Sequence, residues 1–483
     1  MNQESEIFKK IIAHSKEYGF VFPSSELYDG LQAVYDYGQN GVEVKNQLKD
    51  LWYKSMVQMN EDIVGLDSAI FMHPKIWQAS GHVDSFNDPL IDNKDSKKRY
   101  RADVLIEDKA AEYEAEGQSD KAHALIQKMA ELLDNENLDG IRELIIDENI
   151  KCPLSGSSNW TEVRQFNLMF STQMGSVSDD SNQIYLRPET AQGIFVNYLN
   201  VQKTGRKKIP FGIAQIGKAF RNEIVARQFI FRMREFEQME MQFFVRPGTE
   251  IEWYEAWMEK RMRWHKALGI NPENLRMHKH EKLAHYANAA SDIEFKFPFG
   301  FKEIEGIHSR TDFDLSRHME FSRKKINYHD PEINQSYTPY VVETSAGADR
   351  LFLMLMCHSY TEEQLEDKQR TYLNLPPFLA PIKAAVFPLV KKDGLPEKAM
   401  KIVNDLKMDF KVIYEEQGAI GKRYTRQDLI GTPFCITVDH ESLENDTVTV
   451  RERNTMQQER VKTAALAEII GNKVNNKEFF QKL

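Results

Sequence analysis

The chain has 483 residues, of which 41% are hydrophobic and 28% are charged, and its formal net charge is −10. This length exceeds what one hydrophobic core usually organises, so we expect two or three domains in an ordinary globular protein. No run approaches the ~18 consecutive apolar residues of a membrane span, and the acidic start lacks the segments of a signal peptide, so the expected location is cytoplasmic. Three widely separated cysteines exclude a disulfide framework, and the negative charge excludes a uniformly basic surface.

The first predicted elements are a helix and a strand. Residues 41–59 carry apolar side chains at three- and four-residue spacing, which predicts an amphipathic helix that fits a core position and a subunit interface about equally well. Residues 63–83 have short apolar pieces, consistent with a strand that ends at Pro74. Residues 95–151 are rich in Lys, Asp, Glu and Ala, and a helix over 108–133 predicts an inserted helical subdomain.

A long antiparallel hairpin follows, with strands over 211–222 and 234–245 joined by an arginine-bearing loop. A second helical insertion is expected over about 250–290, with a return to the sheet from residue 292. The proline-rich segment 375–381 is the best linker, and the alternating strands and helices beyond it predict a small α/β domain.

The second hairpin strand has the residues of an adenylate site. Alternation places Phe236, Gln238 and Glu240 on one face, with Phe236 and Glu240 ~13 Å apart. An aromatic ring could stack on a purine and a carboxylate could bind an amine, while Arg221 and the loop arginines could neutralise phosphates. For each residue alone, a half-exposed sheet face remains the alternative.

A second segment, residues 343–350, carries complementary groups. Glu343, Ser345 and Gly347 share one face of an extended strand, and Gly347 allows a ligand to approach the backbone closely. Arg350 lies in the first turn of an apolar helix, where its charge opposes the helix dipole. This position makes sense if the guanidinium binds a triphosphate, and a surface ion pair is the alternative.

These motifs resemble the class II aminoacyl-tRNA synthetases, and most closely the homodimeric glycyl-tRNA synthetase family. Residues 221–223 with Arg232 and Phe236 match the second class motif, residues 345–350 match the third, and 41–74 resemble the first, which forms the family's dimer interface. Residues 186–195 resemble the family's glycine-binding segment, and 421–434 its anticodon-binding domain. The implied fold is α+β: an antiparallel sheet flanked by helices, with helical insertions and a C-terminal α/β anticodon-binding domain.

The resemblance implies domain limits and an ATP site. The expected units are 1–94 and 161–375 for the catalytic core, 95–160 for the inserted subdomain and 380–483 for the anticodon-binding domain. Arg221, Glu223 and Arg350 are implied as catalytic residues, and Glu303 as a carboxylate beside ATP-bound Mg²⁺. The implied ATP-binding residues are Arg221, Asn222, Glu223, Phe231, Arg232, Met233, Arg234, Glu235, Phe236, Glu303, Ile304, Gly347, Ala348, Asp349 and Arg350.

The same resemblance implies a glycine site, and carboxylate crowding would exclude larger amino acids there. Its implied residues are Arg101, Glu189, Phe236, Glu237, Gln238, Met239, Glu240, Glu343, Thr344, Ser345, Ala346 and Gly347. The expected reaction is activation of glycine with ATP, followed by transfer to the 3′-terminal adenosine of tRNA(Gly) by a homodimer. Attack on the α-phosphate needs charge neutralisation and positioning more than a general base.

Two features of the sequence refine this expectation. Where many bacterial relatives carry two Cys-x-x-Cys pairs, residues 92–96 have no cysteine and 152–156 retain only Cys152, so we expect no bound zinc. Basic and aromatic side chains of the C-terminal domain are expected to contact the anticodon loop: Lys422, Arg423, Tyr424, Arg426, Arg451 and Arg453.

Two other functions remain open from the residues alone. A non-catalytic protein on the same scaffold would be expected to lose the phosphate-binding arginines, which are present here. A ligase that makes an adenylate for another acceptor would not need the anticodon-like domain.

Overall fold

The computed structural model describes residues 3–175, 182–224, 228–280, 283, 286–366 and 369–483. The N-terminal part contains helix α1, a two-stranded ribbon, helix α2 with a π-helical turn at its end, and short elements that lead to the insertion. Their bounds are α1 Gln3–Glu17, β1 Val21–Pro23, β2 Tyr35–Tyr37, α2 Gly41–Tyr53, β3 Ile63–Gly65, α3 Lys75–Ala79 and α4 His82–Ser85. The fold is of the α+β class, as the sequence predicts.

The insertion combines a small sheet with three helices. Strand β4 lies between β5 and β6, and the helices pack their apolar sides together into a separate core. Gly117, in the left-handed region with φ +79°, separates two helices where the sequence predicted one over 108–133. The bounds are β4 Asn87–Asn93, β5 Lys98–Arg101, α5 Ala102–Ala115, α6 Ser119–Asp134, α7 Leu138–Asp147 and β6 Arg164–Asn167.

The next part of the chain forms the central sheet and its helices. The bounds are β7 Ser171–Gln173, β8 Gln183–Tyr185, α8 Ala191–Thr204, β9 Phe211–Phe220, β10 Glu235–Val245, α9 Glu250–Ala267, β11 Leu275–Lys279, β12 Ala289–Phe297, β13 Gly300–Thr311, α10 Phe313–Ser322, β14 Tyr328–Asp330, β15 Gln335–Tyr337, β16 Tyr340–Gly347, α11 Ala348–Ser359, β17 Tyr360–Gln364 and β18 Gln369–Leu373. Within the described ranges, the central sheet has seven strands in the order β11-β12-β13-β16-β10-β9-β3. Among the described strands of this sheet, β3 and β9 pair in parallel and the other neighbours pair antiparallel.

The two faces of this sheet have different partners. Strand β10 turns Met239, Met241 and Phe243 toward the largest core, which it shares with α2, α9 and α11. The opposite face packs against α8 and α10 through Phe244 and stays polar at the end where Glu240 lies. Alternation along one strand therefore separates the core from the site, as the sequence predicts for Phe236, Gln238 and Glu240.

The C-terminal unit is a five-stranded mixed sheet with helices. Strand β19 pairs in parallel with β20 and β21, and β22 and β23 continue the sheet in antiparallel pairings. The bounds are β19 Ala384–Pro388, α12 Leu395–Leu406, β20 Val412–Tyr414, α13 Ile420–Ile430, β21 Phe434–Val438, α14 His440–Asn445, β22 Thr447–Glu452, β23 Gln458–Lys462, α15 Leu466–Val474 and α16 Lys477–Gln481.

Two predicted elements need correction. Pro74 does not end a strand; it precedes α3, which suits proline because its fixed φ is compatible with a helix start. The insertion expected to be helical over about 250–290 contains α9, but β11 and the start of β12 belong to the central sheet. Residues 281, 282, 284 and 285 of that segment lie outside the described residues.

The apolar stripe of α2 lies in the core of the single chain. Val44, Leu48 and Trp52 have no exposed surface, and Leu51 and Met56 are at most 2% exposed. Met59, at the end of the predicted stripe, is 50% exposed. The stripe therefore packs against the sheet and α11, and it cannot itself be the surface that meets a second subunit.

Hydrogen bonds join the loop of residues 93–96 to the loop of residues 152–155, the two positions at which the family resemblance implied Cys-x-x-Cys pairs in relatives; we call this pair of loops the knuckle. The Asn93 side-chain oxygen accepts from the Ser96 amide at 3.0 Å and from the Ser155 hydroxyl at 3.1 Å. The Cys152 sulfur lies 3.3 Å from the Ser96 hydroxyl and 3.2 Å from the Tyr100 hydroxyl. Hydrogen bonds thus connect the two loops of the knuckle.

Three of the arginines expected to contact RNA instead hold the C-terminal unit together. Arg423 donates to the Pro388 and Gly418 carbonyls, Arg453 to the Gly431 and Leu375 carbonyls, and Arg451 to Asp428. All three residues are buried, at 2–6% exposure. These side chains satisfy backbone and carboxylate oxygens, so the expectation of anticodon contact is wrong for them.

No helix in the described part of the chain is long and apolar enough to cross a membrane.

Candidate active site

A cavity of about 240 Å³ opens on the polar end of the central sheet, between β10, β13, β16 and the loop before β10. Its walls combine arginines, carboxylates and aromatic rings. The lining residues are Glu189, Arg221, Glu223, Ile230, Phe231, Arg232, Met233, Phe236, Gln238, Glu240, Tyr286, Glu303, Gly306, His308, Arg310, Glu343, Ser345, Gly347, Asp349 and Arg350.

One end of the cavity has an aromatic wall and an arginine. The guanidinium of Arg221 lies 5.3 Å from the ring centroids of both Phe86 and Phe236, and its Nε donates to the Pro188 carbonyl at 3.1 Å. Glu223 is buried, and its Oε2 has no hydrogen-bond partner among the described residues. A buried acceptor without a partner is costly, so this oxygen is suited to accept from a bound molecule.

Arg350 lies on the opposite side of this end. Its Nη1 donates to Glu303 Oε2 at 2.9 Å, and its guanidinium stacks on Phe231 with 4.5 Å to the centroid. Burial raises the pKa of Glu303, but the charge and hydrogen bond of Arg350 outweigh it and lower the pKa below its usual value. Glu303 is therefore ionised at neutral pH.

A bulge in β13 brings Glu303 to the cavity. Glu305 pairs with Ile293 and Glu303 with the next residue, Glu294, so Ile304 is the extra residue on this strand. Ile304 is buried in the main core, and Glu305 lies beneath the sheet with Arg261. Without the extra residue, Glu303 and Glu305 would lie on the same face.

Asp349 connects the cavity to the core behind it. Its carboxylate accepts from Tyr37 Oη and Lys45 Nζ, both at 2.6 Å, and from the Glu237 backbone amide at 2.8 Å. The Glu237 side chain forms ion pairs with Lys45 and Lys49. This network joins α2, β10 and the start of α11 and holds the strand edge behind the arginines.

The middle of the cavity contains three carboxylates: Glu189, Glu240 and Glu343. Burial raises the pKa of Glu189, but His82 and Arg310 outweigh it and lower the value to about 2. The pKa of Glu343 is likewise held well below its usual range, because Arg310 and His308 outweigh burial. Glu240 behaves oppositely: burial, followed by the charges of Glu343 and Glu189, raises its pKa well above the usual value.

Most of the predicted site residues meet in this one cavity. Those that line it are Arg221, Glu223, Phe231, Arg232, Met233, Phe236, Glu303, Gly347, Asp349 and Arg350 from the expected ATP set, and Glu189, Gln238, Glu240, Glu343 and Ser345 from the expected glycine set.

The remaining predicted residues do not line the cavity. Met239, Ala346 and Ile304 belong to the main core, and Thr344 and Ala348 are fully buried. Glu235 pairs with Lys218 near the surface, while Arg234 donates to the Glu223 and Gln32 carbonyls. Asn222 and Glu237 also lie outside the lining, and Arg101 is paired with Asp88 and Asp103. Strand alternation explains Glu237, Met239, Thr344 and Ala346, because every second residue of β10 and β16 faces away from the cavity.

The sequence prediction missed three polar residues of the cavity: Tyr286, His308 and Arg310. Arg310 donates to both Glu343 and Asp314 and lies 4.2 Å over the Tyr286 ring, and His308 Nδ1 is 2.9 Å from Glu343 Oε1. Period-two alternation from Gly306 would have identified His308 and Arg310, which follow it at two-residue spacing on β13.

The comparisons with known proteins agree with this architecture. Residues 170–359 match the family model for the "tRNA synthetase class II core domain (G, H, P, S and T)" and residues 383–473 match that for the "Anticodon binding domain". The central sheet is therefore that of a class II aminoacyl-tRNA synthetase core. Residues 88–168 match "Glycyl-tRNA synthetase insertion domain 1".

Full-length relatives narrow the class to one family. The chain is 54% identical to a glycine–tRNA ligase of Chlorobaculum tepidum over 469 residues, covering 96% of this chain and 99% of that protein. It is 52% identical to the glycine–tRNA ligases of Staphylococcus haemolyticus and Macrococcus caseolyticus, covering 96% of this chain and 98% of each relative. The chain belongs to the glycine–tRNA ligase family.

Proposed function

We propose that the protein is a glycine–tRNA ligase that activates glycine with ATP to glycyl-adenylate and then transfers glycine to the 3′-terminal adenosine of tRNA(Gly). One observation carries the proposal: a single cavity joins an arginine-and-aromatic end to a cluster of three carboxylates. The first end suits the nucleotide, and the second suits an ammonium group. Family membership makes ATP, glycine and tRNA(Gly) the substrates.

At the nucleotide end, adenine stacks on Phe236, and the Oε2 of Glu223, which has no hydrogen-bond partner among the described residues, accepts from the adenine amine. Arg221 holds the α-phosphate, where negative charge increases as the glycine carboxylate attacks. Its bond to the Pro188 carbonyl and its contact with Phe86 and Phe236 support this role, because they fix the guanidinium before substrate binds. Arg232 and Arg350 neutralise the outer phosphates.

Mg²⁺ bound with ATP is part of this proposal, and Glu303 is the residue that would hold it. An ionised carboxylate in the nucleotide end is the hard oxygen ligand that Mg²⁺ prefers, and one such ligand is enough when phosphates supply others. The ion would neutralise charge on the phosphates as pyrophosphate leaves.

At the amine end, Glu189, Glu343 and Ser345 bind the glycine ammonium together with Glu240. Glycine offers no side chain to contact, so selection depends on excluding anything larger. The stacked pair of Arg310 and Tyr286 supports this, because the ion pairs of Arg310 with Asp314 and Glu343 resist displacement by a substrate side chain.

We also propose that the protein works as a homodimer in the cytoplasm. With the α2 stripe buried, the support comes from other apolar side chains: Leu27, Tyr28 and Leu31 are 89%, 80% and 55% exposed on the turn before β2. Clustered exposed apolar residues are typical of subunit contacts. Sedimentation of the protein at twice its chain mass of 56.2 kDa would agree with a dimer, and a stable monomer would refute it.

Aminoacylation of a tRNA(Gly) transcript tests the full reaction. We expect labelled glycine to become acid-precipitable with this tRNA, and neither serine nor alanine to do so. Arg221→Ala is expected to lower the rate at least about a hundredfold, as for removal of a group that stabilises the transition state. Charging with alanine, or glycine transfer to an unrelated acceptor in preference to the tRNA, would contradict the proposal.

A further inference from the structure

The amine pocket contains more carboxylates than permanent cations. Glu189, Glu240 and Glu343 all line it, and Arg310 is the arginine that pairs with one of them, at 3.1 Å from Glu343 Oε2. Arg310 also forms a bidentate bond with Asp314, so its charge is shared. Closely spaced buried carboxylates cannot all remain ionised without compensation.

The three carboxylates are not equally compensated. Glu343 has both Arg310 and His308, and Glu189 has His82 at 3.4 Å and the Gln192 amide at 3.0 Å. These two carboxylates therefore have cationic or potentially cationic partners.

Glu240 has neutral hydrogen-bond donors within the described part of the chain. The Thr190 hydroxyl donates to its Oε2, and the Gln242 amide donates to its Oε1 at 3.2 Å. The same Gln242 amide donates to Glu343 Oε2 at 2.6 Å, so the two carboxylates are neighbours around one donor. On its other side, β9 presents the neutral Gln215.

In the described part of the chain, no cationic side chain forms an ion pair with Glu240. Arg187 interacts electrostatically with Glu240, but its hydrogen bonds go to the Ser68 and Lys218 carbonyls. The titratable and charged groups that face Glu240, directly or through a bonded partner, are Arg187, Glu189 and His82, Glu343 on β16, His308 and Arg310 on β13, Asp314 on α10, and Tyr286. Among these groups the three carboxylates of Glu189, Glu343 and Asp314 outnumber the two arginines, and the His308 imidazole lies against Glu343 rather than Glu240.

We propose that the unliganded amine pocket carries one proton on Glu240 and that the substrate ammonium displaces this proton to solvent. The inference deepens the proposed function and rests on it. Binding is then an exchange: the O–H bond of the Glu240 carboxyl breaks, the proton passes to buffer, and the freed carboxylate accepts an N–H of the ammonium. The pocket keeps nearly the same net charge before and after binding, which avoids an unpaired buried carboxylate in either state.

This exchange gives glycine binding a definite pH dependence. Because the free protein binds one proton more than the complex, the dissociation constant for glycine should fall about tenfold for each pH unit of increase while Glu240 is protonated in the free protein. Burial and the neighbouring carboxylates of Glu343 and Glu189 raise the pKa of Glu240, so this range extends above the pH at which an ordinary glutamate ionises. A pocket with three permanently ionised carboxylates would show no such slope.

Calorimetry of the full-length protein tests the proton directly. Glycine is titrated at one pH in PIPES and in Tris, whose protonation enthalpies differ, and the difference in heat gives the number of protons released. We expect about one proton for each glycine bound. Binding heat that is the same in both buffers would overturn the inference and leave the proposed function standing. Absence of both glycine heat and glycine-dependent pyrophosphate exchange would overturn the proposed function itself.

Two variants identify the group that releases the proton. Glu240→Gln keeps the size and the bond to Thr190 but has no acidic proton, so we expect weaker glycine binding with no proton release. His308→Asn removes the other titratable group beside Glu343, and release of about one proton should persist. Loss of release in the His308 variant, with release retained in the Glu240 variant, would assign the proton to the imidazole and refute the inference. If either variant fails to fold, the slope of the wild-type dissociation constant against pH decides: a flat profile refutes the inference.

Discussion

Asp349 connects helix α2 and strand β10 to the start of α11, behind the arginine-and-aromatic end of the cavity. It accepts from Tyr37 before α2, from Lys45 on α2 and from the backbone of Glu237 on β10, and Arg350 follows it in the chain. A carboxylate with three donors fixes the start of α11 and thereby the direction of the next side chain. The position of Arg350 therefore depends on contacts made behind the cavity.

Replacing Asp349 tests this dependence. Asp349→Ala removes one of the two carboxylates that pair with Lys45 and leaves Glu237, and loss of a buried ion pair costs about 3 kcal/mol. We expect the free energy of unfolding in urea to fall by about that amount and the KM for ATP to rise. Asp50→Ala, which breaks an exposed pair on the same helix, serves as the control and should unfold at the wild-type midpoint. Equal effects of the two variants would contradict the account.

Glu305 gives a prediction for acid stability. It is fully buried with Arg261 and His265, and although burial raises its pKa, these partners outweigh it and lower the value from 4.5 to about 2. Because the folded pKa is below the unfolded one, the stabilisation is present above pH 4.5 and is lost as the pH falls toward 2. Denaturation measured from pH 5 downward should show stability decreasing more steeply in the wild type than in Glu305→Gln. If the unfolding free energies of the wild type and Glu305→Gln decreased in parallel with falling pH, Glu305 would not be the source of the acid sensitivity.

Sequence reasoning identified the cavity-lining residues of β10, where alternation is regular, and misplaced Ile304 on β13, where it is not. Phe236, Gln238 and Glu240 follow strict alternation on β10, so their common face was predictable. Ile304 was not predictable as a core residue, because a bulge changes the alternation and no residue type in the segment marks it. His308 and Arg310 lie just beyond this bulge.

At the scale of elements, the hairpin β17–β18 holds the C-terminal unit against the core. Arg370 on β18 and Arg451 on β22 both donate to the Asp428 carboxylate on α13, and all three side chains are buried. Arg370 also donates to the Arg453 carbonyl at 2.5 Å. One aspartate thus compensates two arginines from different parts of the chain.

We expect Asp428→Ala to weaken tRNA binding while sparing the activation of glycine, which does not need the C-terminal unit. The buried Arg451 would lose its ion pair with Asp428, and Arg370 would keep its pair with Glu363, so the expected cost is about 3 kcal/mol in unfolding free energy. We expect the KM for tRNA to rise because the unit is less firmly held, while glycine-dependent pyrophosphate exchange stays near wild type. The control is Asp393→Ala, which breaks the exposed pair with His440 in the same unit and should change neither. Equal losses in both assays would show that Asp428 only supports folding.

The knuckle of the insertion gives a prediction about metal. Asn93, Ser96, Cys152 and Ser155 meet through hydrogen bonds, and a single thiolate cannot make a tetrahedral zinc site. Elemental analysis of the purified protein should find no stoichiometric zinc.

A triple variant provides the matched test, because Asn93→Cys, Ser96→Cys and Ser155→Cys together supply four thiolates at the same positions. We expect this variant to bind about one zinc ion per chain. Zinc in the wild type, or none in the variant, would contradict the interpretation of the knuckle.

Helix α2 and the C-terminal arginines show that the presence of a helix or a basic segment was easier to predict than the surface that it contacts. The stripe of α2 was correctly seen as one apolar face, but periodicity cannot distinguish burial in the same chain from burial in a partner. Arg423, Arg451 and Arg453 have the composition of an RNA-binding surface, yet each is buried among carbonyl or carboxylate oxygens. Their burial depends on long-range contacts that local sequence does not contain.

At the scale of the whole molecule, the central sheet lies between the main hydrophobic core on one face and the polar cavity on the other. Its core face packs against α2, α9 and α11, and its polar end carries the cavity. The C-terminal unit is attached through Arg370 and Arg453 to the segment that follows α11. The central hairpin was predictable from strand alternation, and the α+β class followed from the family resemblance. The small sheet of the insertion was not predictable, because β4 pairs with β6 across more than seventy residues of sequence.

The central claim is that this cavity activates glycine with ATP, and ATP–pyrophosphate exchange tests it most directly. We predict exchange that requires glycine, is absent with alanine or serine, and is abolished by Arg350→Ala in protein that still unfolds cooperatively. Exchange that proceeds without glycine, or no exchange from well-folded wild-type protein with glycine, ATP and Mg²⁺ present, would contradict the account.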